Sequence, residues 1–540
     1  MKRRNFIRLS ASGSAGAFML NGHVVSAFSE TALLSQIPED VLNDRCLVMV
    51  QLRGGNDGLN TIIPLNQYDT YANLRPTIKL KNSGSNAAIQ LDSSLSNEDQ
   101  ILIHPSLTAF KDLYDAGKLN IVHSVGYPIV NKSHFAGRAM MFKGGDGTPE
   151  NNQKTSGWMA RFLHSRYNYE DFQDPLGIQL GSKKPSLGFH SEHEHKVDVN
   201  LSGQDISGYY NVISNIGNPK PESLLDSDYT DNIDFISSIE QSTTAYSQRI
   251  SQVFNAGSNV GSYPDYDLAN QLKTVARMIK GGSKTKMFLV VINGFDNHAK
   301  QVSSSSESHK GEHADLLKIV GDSIKAFHND LDAMGIEDKV VTATFTEFGR
   351  KPKENGNLGT DHGNLGPMFI IGKHVKGGIT GTNMDLSSVV KHYDESQMQH
   401  DYRQVFSTLL SDFLGTHPGI IEDTEFTPFD GTNKLDLIQD NQKSDTLGAE
   451  DLKIKTQELK IAPNPVRDEC LVTFTSGYWF RGIIEIYNMQ GRLVNKLPVE
   501  VASGHNNMSL NLSHIKSGVY LLAIKNNHNK PVGTTRLIKR

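Results

Sequence analysis

The sequence predicts an α/β fold, a doubly wound and mostly parallel sheet, followed by a small C-terminal all-β sandwich. Three observations carry this. Near-continuous apolar runs, each ending in a glycine-rich or polar turn, recur through residues 46–345. Stretches with helix-period apolar stripes lie between them. From residue 459 the apolar runs become short, alternating and closely spaced.

The chain of 540 residues exceeds what one hydrophobic core usually organises, so several domains are expected. Its first segment reads as an address. Lys2-Arg3-Arg4-Asn5-Phe6-Ile7-Arg8 precedes a weakly apolar stretch over 11–20 and the small residues Val25-Ser26-Ala27. Basic, apolar and small-residue regions in that order make an export leader over 1–27, and the arginine pair points to the twin-arginine translocase. The apolar stretch is too short to span a bilayer, which takes about 20 residues, so no transmembrane segment is expected in the mature protein.

The large domain is expected over 44–430. Residues 46–52, 119–125, 287–292 and 340–345 are apolar enough for strands buried on both faces. Leu316, Leu317, Val320, Ile324, Phe327, Leu331 and Met334 recur at three- and four-residue steps, which is a helical stripe. Strand–helix alternation argues for a doubly wound sheet, whose ligands sit at the carboxyl ends of the strands. A polar linker is expected over 431–458, then the β-domain over 459–540. The formal charge of −5 gives no reason to expect a nucleic-acid partner. Two cysteines, Cys46 and Cys470, exclude a disulfide framework and read as small buried hydrophobes.

The candidate site residues fall where the strands end. Asp57 lies in the turn Arg53-Gly54-Gly55-Asn56-Asp57-Gly58, Asp296 and His298 follow residues 287–292, and Asp361-His362 follows Glu347-Phe348-Gly349-Arg350. Carboxylates and imidazoles together suit zinc, manganese, magnesium or calcium. Ser133 opens a predicted helix, where it is either an N-cap or a nucleophile assisted by the free N–H groups. Arg53 and Arg350 flank the turns and have the fork that holds a tetrahedral anion. Asp57 equally fits ordinary turn chemistry. His309 and His313 read as a solvated helix face, with His313 also able to supply a further ligand, and His190, His193 and His195 read as surface residues.

Residues 45–420 resemble the bacterial family called domain of unknown function 1501, through Leu52-Arg53-Gly54-Gly55-Asn56-Asp57-Gly58-Leu59-Asn60-Thr61, Ser133-His134-Phe135 and Gly294-Phe295-Asp296-Asn297-His298. Glu347-Phe348-Gly349-Arg350, Gly359-Thr360-Asp361-His362-Gly363 and Val375-Lys376-Gly377-Gly378 complete the set. That family is in turn similar to the alkaline phosphatase and sulfatase superfamily. The likeness implies a sheet of alkaline-phosphatase type and one metal site of Asp57, Ser133, Asp361 and His362. It implies another site of Asp296 and His298. Two departures stand out: the superfamily's Asp-x-x-x-His is Asp296-x-His298 here, and only His400 and His417 offer themselves as a final histidine ligand.

The tail, with Pro463-Asn464-Pro465, Asn488-x-x-Gly491, Gly518-x-Tyr520 and the basic end Lys539-Arg540, resembles the type IX secretion system sorting domain. The resemblance implies passage through the type IX secretion machinery by way of the periplasm to the cell surface or beyond. It also links such tails to cleavage and attachment to surface lipopolysaccharide. Two functions follow as expectations. One is an exported metal-dependent hydrolase of phosphate or sulfate esters, with Ser133 attacking and Arg53 or Arg350 offsetting charge. The other is a non-catalytic surface protein that keeps the fold and binds polysaccharide or a partner.

Overall fold

The computed structural model describes residues 16–20, 23–28, 44–149, 155–167, 174–182, 186–190, 249–416, most of 418–439, and 459–540 apart from 477–479, 490, 502–503 and 527–530. The arginine pair of the expected leader, His193, His195 and His417 lie outside the described residues.

The strands that matter, in chain order, are β1 (Gly16–Leu20), β2 (His23–Phe28), β3 (Cys46–Arg53), β4 (Leu119–Gly126), β5 (Gly177–Leu180) and β6 (Met287–Asn293). They continue with β7 (Val340–Phe345), β8 (Arg350–Glu354), β9 (Thr360–His362), β10 (Gly366–Ile371), β11 (Gly378–Thr380) and β12 (His400–Asp401). The large sheet runs β1-β2-β5-β6-β3-β7-β10-β4-β11, with β12 also on β4. Strands β5, β6, β3 and β7 are mutually parallel. Strand β10 is antiparallel to both β7 and β4, so β4 points the same way as the central four. The fold is thus a mixed α/β structure with a large, parallel-rich sheet.

Strand β3 shows why its sequence reads as continuously apolar. Cys46, Val48, Val50 and Leu52 join one apolar cluster, while Leu47 and Met49 join another. Alternate side chains of a strand point to opposite faces, so both faces are covered. The first cluster is completed by helices α1 (Thr108–Asp115), α4 (Asp267–Lys280) and α5 (Glu312–Ala333). Helices α2 (His134–Lys143), α3 (Trp158–Arg166) and α6 (Tyr402–Thr408) complete the second.

Register sets the site. Arg53 pairs with Asn293 and Gln51 with Phe345, so β3, β6 and β7 end side by side and release their loops at one rim. The β8–β9 ribbon, with Arg350 opposite His362, lies over that rim.

Two expectations need correcting. The linker does not begin at 431, because Leu437 and Ile438 are fully buried in the second cluster and Ile438 bridges to Val375. His313 is not on a solvated face; it is 2% exposed, with Nε2 3.0 Å from Asn56 Oδ1. Within the span of the expected leader, which these pairings do not test, residues 16–20 and 23–28 form the β1 and β2 strands, and β2 pairs antiparallel with β5. His23-Val24-Val25-Ser26-Ala27-Phe28, with its paired valines, suits an extended edge strand.

The C-terminal region is all-β. A three-stranded and a four-stranded sheet share a core that includes Val472, Phe474, Ile484, Ile486, Leu522 and Ile524. The sorting-tail motifs have structural work to do. Asn488 closes a turn by accepting from the Gly491 and Arg492 amides, and the Tyr520 hydroxyl donates to the Lys516 carbonyl. Among the described residues, no helix is long and apolar enough to cross a membrane.

Candidate metal centre

The rim loops are held together by one buried side chain. Arg350 is 0% exposed at its side chain. Its Nε donates to the Gly55 carbonyl at 2.8 Å and its Nη1 to the Thr360 carbonyl at 2.9 Å. Its Nη2 reaches the Gly54 carbonyl, the Phe295 carbonyl and Asp296 Oδ1 at 2.6, 2.9 and 2.6 Å. This recasts the expected role of Arg350: each of its three nitrogens is engaged by the protein, so it positions the loops rather than standing free for a substrate anion.

Close packing at this clamp explains a glycine. Gly54 has φ +124°, and a Cβ there would stand 2.4 Å from the Asp296 amide nitrogen. Only glycine tolerates both the dihedral and the approach. Gly54→Ala is therefore expected to displace the Asp296 loop and lower divalent-metal affinity by roughly 10-fold or more, the scale of a lost supporting contact. Titration calorimetry of the purified variant checks this, with circular dichroism confirming that the fold persists.

Asp296 sits among three histidines. His362 Nε2 and His298 Nε2 lie 3.0 and 3.2 Å from its Oδ1, and His134 Nε2 lies 3.1 Å from its Oδ2. The Nε2 atoms of His298 and His362 are 2.9 Å apart. Each ring is anchored at its other nitrogen. His134 Nδ1 is 3.0 Å from Glu347 Oε1, His362 Nδ1 is 2.7 Å from the Lys132 carbonyl, and His298 Nδ1 is 3.4 Å from Asp361 Oδ1. With Nδ1 donating to these oxygens, each Nε2 presents a lone pair towards the same carboxylate. Two such nitrogens at contact distance repel unless a proton or a cation lies between them. Ligand atoms of His134, Asp296 and His362 fall within 4.8 Å of one another, and His298 Nε2 lies beside two of them, Asp296 and His362. Three imidazoles and one carboxylate fit a first-row divalent ion such as zinc or manganese better than calcium, which favours all-oxygen ligands.

The electrostatics of Asp296 and His362 agree with this, whereas those of His134 favour the charged ring. Burial would raise the Asp296 pKa, but the hydrogen bond from Arg350 and its charge hold it far below the usual carboxylate range. Burial lowers the His362 pKa, favouring the neutral ring a metal requires. The hydrogen bond to Glu347 raises that of His134. Against burial, His392, Asn355 and His298 pull the Asp361 carboxyl down to about 2.

The structure thus gathers Asp296, His298 and His362, with Asp361 behind them bridging His298 and His392. Asp57 is the second correction. It is 2% exposed, its Oδ1 accepts from Arg75 Nη2 at 2.9 Å and its Oδ2 from Arg75 Nη1 at 2.6 Å, and Gln301 donates to Oδ2 as well. A carboxylate so occupied is a structural ion pair and not a metal ligand. Ser133 is the exposed N-cap of α2, its hydroxyl making no capping bond. Arg53 touches Asn293 Oδ1 at 3.4 Å, and its buried Nε has no partner among the described residues. His400 lies on β12 against β4, and no contact joins it to the cluster.

Three site residues were missed. His134 stands in a motif that was read for its serine. Glu347 follows the end of β7, as Asp57 follows that of β3. His392, whose Nε2 is 3.0 Å from Asp361 Oδ2, lies in an irregular stretch that no strand announces.

Comparison with known proteins finds two matching families. The model described as "Protein of unknown function (DUF1501)" matches residues 44–417, and that described as "Secretion system C-terminal sorting domain" matches residues 460–540. No curated protein matches the chain. Among solved structures, dimeric latent PorU from Porphyromonas gingivalis is 24% identical over 15% of this chain and 9% of its own length, with a TM-score of 0.14. The chain therefore spans about a tenth of PorU. A Bacteroides thetaiotaomicron protein from a core locus for metabolism of multiple glycosaminoglycans is 7% identical, covering 92% of this chain and 90% of that one, at a TM-score of 0.28. Ps i-CgsB in complex with k-i-k-neocarrahexaose is 10% identical, covering 80% and 84%, at 0.29.

Proposed function

Because the chain belongs to the DUF1501 family of proteins of unknown function, and carries a sorting domain that supports export to the cell surface or beyond, we propose that it is a secreted, metal-dependent hydrolase of phosphate or sulfate esters. The convergence of three anchored Nε2 atoms on Asp296 is the observation that supports this reading most directly. His134, Asp296, His298 and His362 would hold a divalent ion, which when bound polarises an ester oxygen. Ser133, exposed immediately before His134, would supply the attacking hydroxyl, and Arg53 would balance the transferred anion. Apolar clusters on both sheet faces and a site at the strand ends are consistent with a doubly wound sheet of alkaline-phosphatase type. A twin-arginine leader, a periplasmic stage and surface attachment after tail removal belong to the same reading.

A second reading, a non-catalytic surface protein binding polysaccharide or a partner, is favoured by one observation. Asp57, which the family likeness would make a metal ligand, and Arg350, expected to hold an anion, are locked in structural contacts.

Metal analysis of the purified full chain decides first, followed by hydrolysis of 4-nitrophenyl phosphate and sulfate before and after chelation. About one equivalent of metal, chelator-sensitive turnover, and loss of turnover in Ser133→Ala are expected. A protein that retains no divalent ion after incubation with zinc or manganese ends the hydrolase reading. Unchanged turnover in Ser133→Ala strikes the serine from it.

A further inference from the structure

The α/β region exposes six large hydrophobic side chains among its described residues: Ile129, Phe135, Val260, Val390, Tyr393 and Met398. Exposed apolar residues scattered singly need no explanation. These are not scattered, since all except Val260 fall in two short segments, 129–135 and 390–398. The segments meet at the candidate centre. Lys132 pairs with Glu395, the Lys132 carbonyl holds His362 Nδ1 at 2.7 Å, and His392 holds Asp361 at 3.0 Å. Phe135 is 82% exposed and directly follows His134, while Tyr393 is 64% exposed and directly follows His392. An apolar rim around a charged centre marks a ligand surface.

Charge at the same place is arranged for an anion. Arg138 lies one helical turn beyond His134, its guanidinium 5.3 Å from the Phe135 ring centroid. It reaches Glu347 Oε1 at 3.3 Å, and that oxygen is already shared with His134 and the Gly54 amide. Arg53 feels both Arg138 and Glu347, and burial with the Arg138 charge lowers its pKa. Both guanidinium groups thus lie in the field of the Glu347 carboxylate, with Arg138 in contact with it.

We propose that Phe135 and Tyr393 are specificity-determining residues, stacking a ring with an apolar face in the alcohol part of an anionic ester whose charged group Arg53 and Arg138 take. The inference rests on the ester-hydrolase reading and names its substrate class: phosphate or sulfate monoesters of a ring-bearing alcohol, aryl or sugar. A ring stacked on an aromatic side chain and an anion on an arginine fork are separable contributions.

The test is calorimetric binding to the metal-incubated full chain. Phenyl sulfate and glucose 6-sulfate are compared with methyl sulfate, and the three phosphates are run in parallel. The wild type is expected to bind ring esters more tightly than methyl esters. Phe135→Ala and Tyr393→Ala should weaken ring esters by roughly 2- to 10-fold and leave methyl esters unchanged. Phe135→Tyr should restore the ring preference. Arg138→Gln should weaken all six by about 10-fold or more, because it removes a charged hydrogen-bond donor. Both aromatic side chains are at the surface, so their removal leaves the core intact. Equal affinity for ring and methyl esters, or an unchanged preference in both alanine variants, overturns the proposal. Metal content and turnover are read on the same samples. Metal-bound, active protein without ring preference sinks this inference alone, whereas ring-selective binding by a protein that takes up no metal upholds the rim and removes the hydrolase. The preferred ring tells an aryl ester from a sugar ester, and the paired anions tell phosphate from sulfate.

Discussion

Asp57→Ala is expected to destabilise the α/β domain by about 3–5 kcal/mol while leaving divalent-metal stoichiometry unchanged. Asp57 and Arg75 are 2% and 0% exposed at their side chains, and the pair is bidentate. Truncating the carboxylate strands a buried guanidinium. Arg75 keeps its bonds to the Pro352 and Lys351 carbonyls and to Asn60, but none of those partners carries a charge. The same pair gives a pH dependence. Burial opposes ionisation of Asp57, yet the Arg75 charge lowers its folded pKa below the ordinary value. A depressed folded pKa contributes stability that is present above the unfolded value, about 3.9, and is lost as pH falls through the folded one. The gap between wild type and Asp57→Ala in a denaturant melt should therefore be full at pH 7 and shrink in acid. A variant that melts like wild type but loses its metal would restore Asp57 as a ligand and undo the account of the centre given above.

Asp296→Asn is expected to have the opposite profile. The replacement preserves shape and keeps an acceptor for the buried Arg350 guanidinium while removing its charged partner, so a cost of about 1–3 kcal/mol, below that of Asp57→Ala, is expected. Metal affinity should fall by about 100-fold or more, since changes even in the groups behind the ligands typically cost 10- to 100-fold. The amide turns an N–H₂ or a neutral oxygen towards three imidazoles that now share a carboxylate. Isothermal titration with zinc and manganese reads the result. Wild-type affinity in Asp296→Asn would mean that no cation is held there.

The sheet was legible because burial on both faces leaves a strong mark: residues 46–52, 119–125, 287–292 and 340–345 all became strands that start or end close to where their apolar runs do. The rim was legible for the same reason, since Asp296 and His298 are found where the parallel strand β6 releases its loop, with His362 on the ribbon that follows β7. What escaped was pairing. Nothing in the sequence around Asp57 announces that Arg75, at the end of a short helix over Tyr68–Leu74, will take its carboxylate. Nothing around Arg350 announces four carbonyl partners, two of them nearly three hundred positions away. His313 was recoverable from periodicity alone. It lies four residues before Leu317 and seven before Val320, on the stripe that α5 buries, and reading it together with His309 obscured that.

The Arg350 clamp also bears on when the site can come into being. It ties chain positions 295, 296, 55, 54 and 10 residues apart, so none of its contacts at the far ends can form until the longest loops of the domain have closed. A nascent or partly collapsed chain has the histidines but not their common focus. A cation retained by this protein would therefore be a maturity mark, present only on molecules whose sheet is already complete.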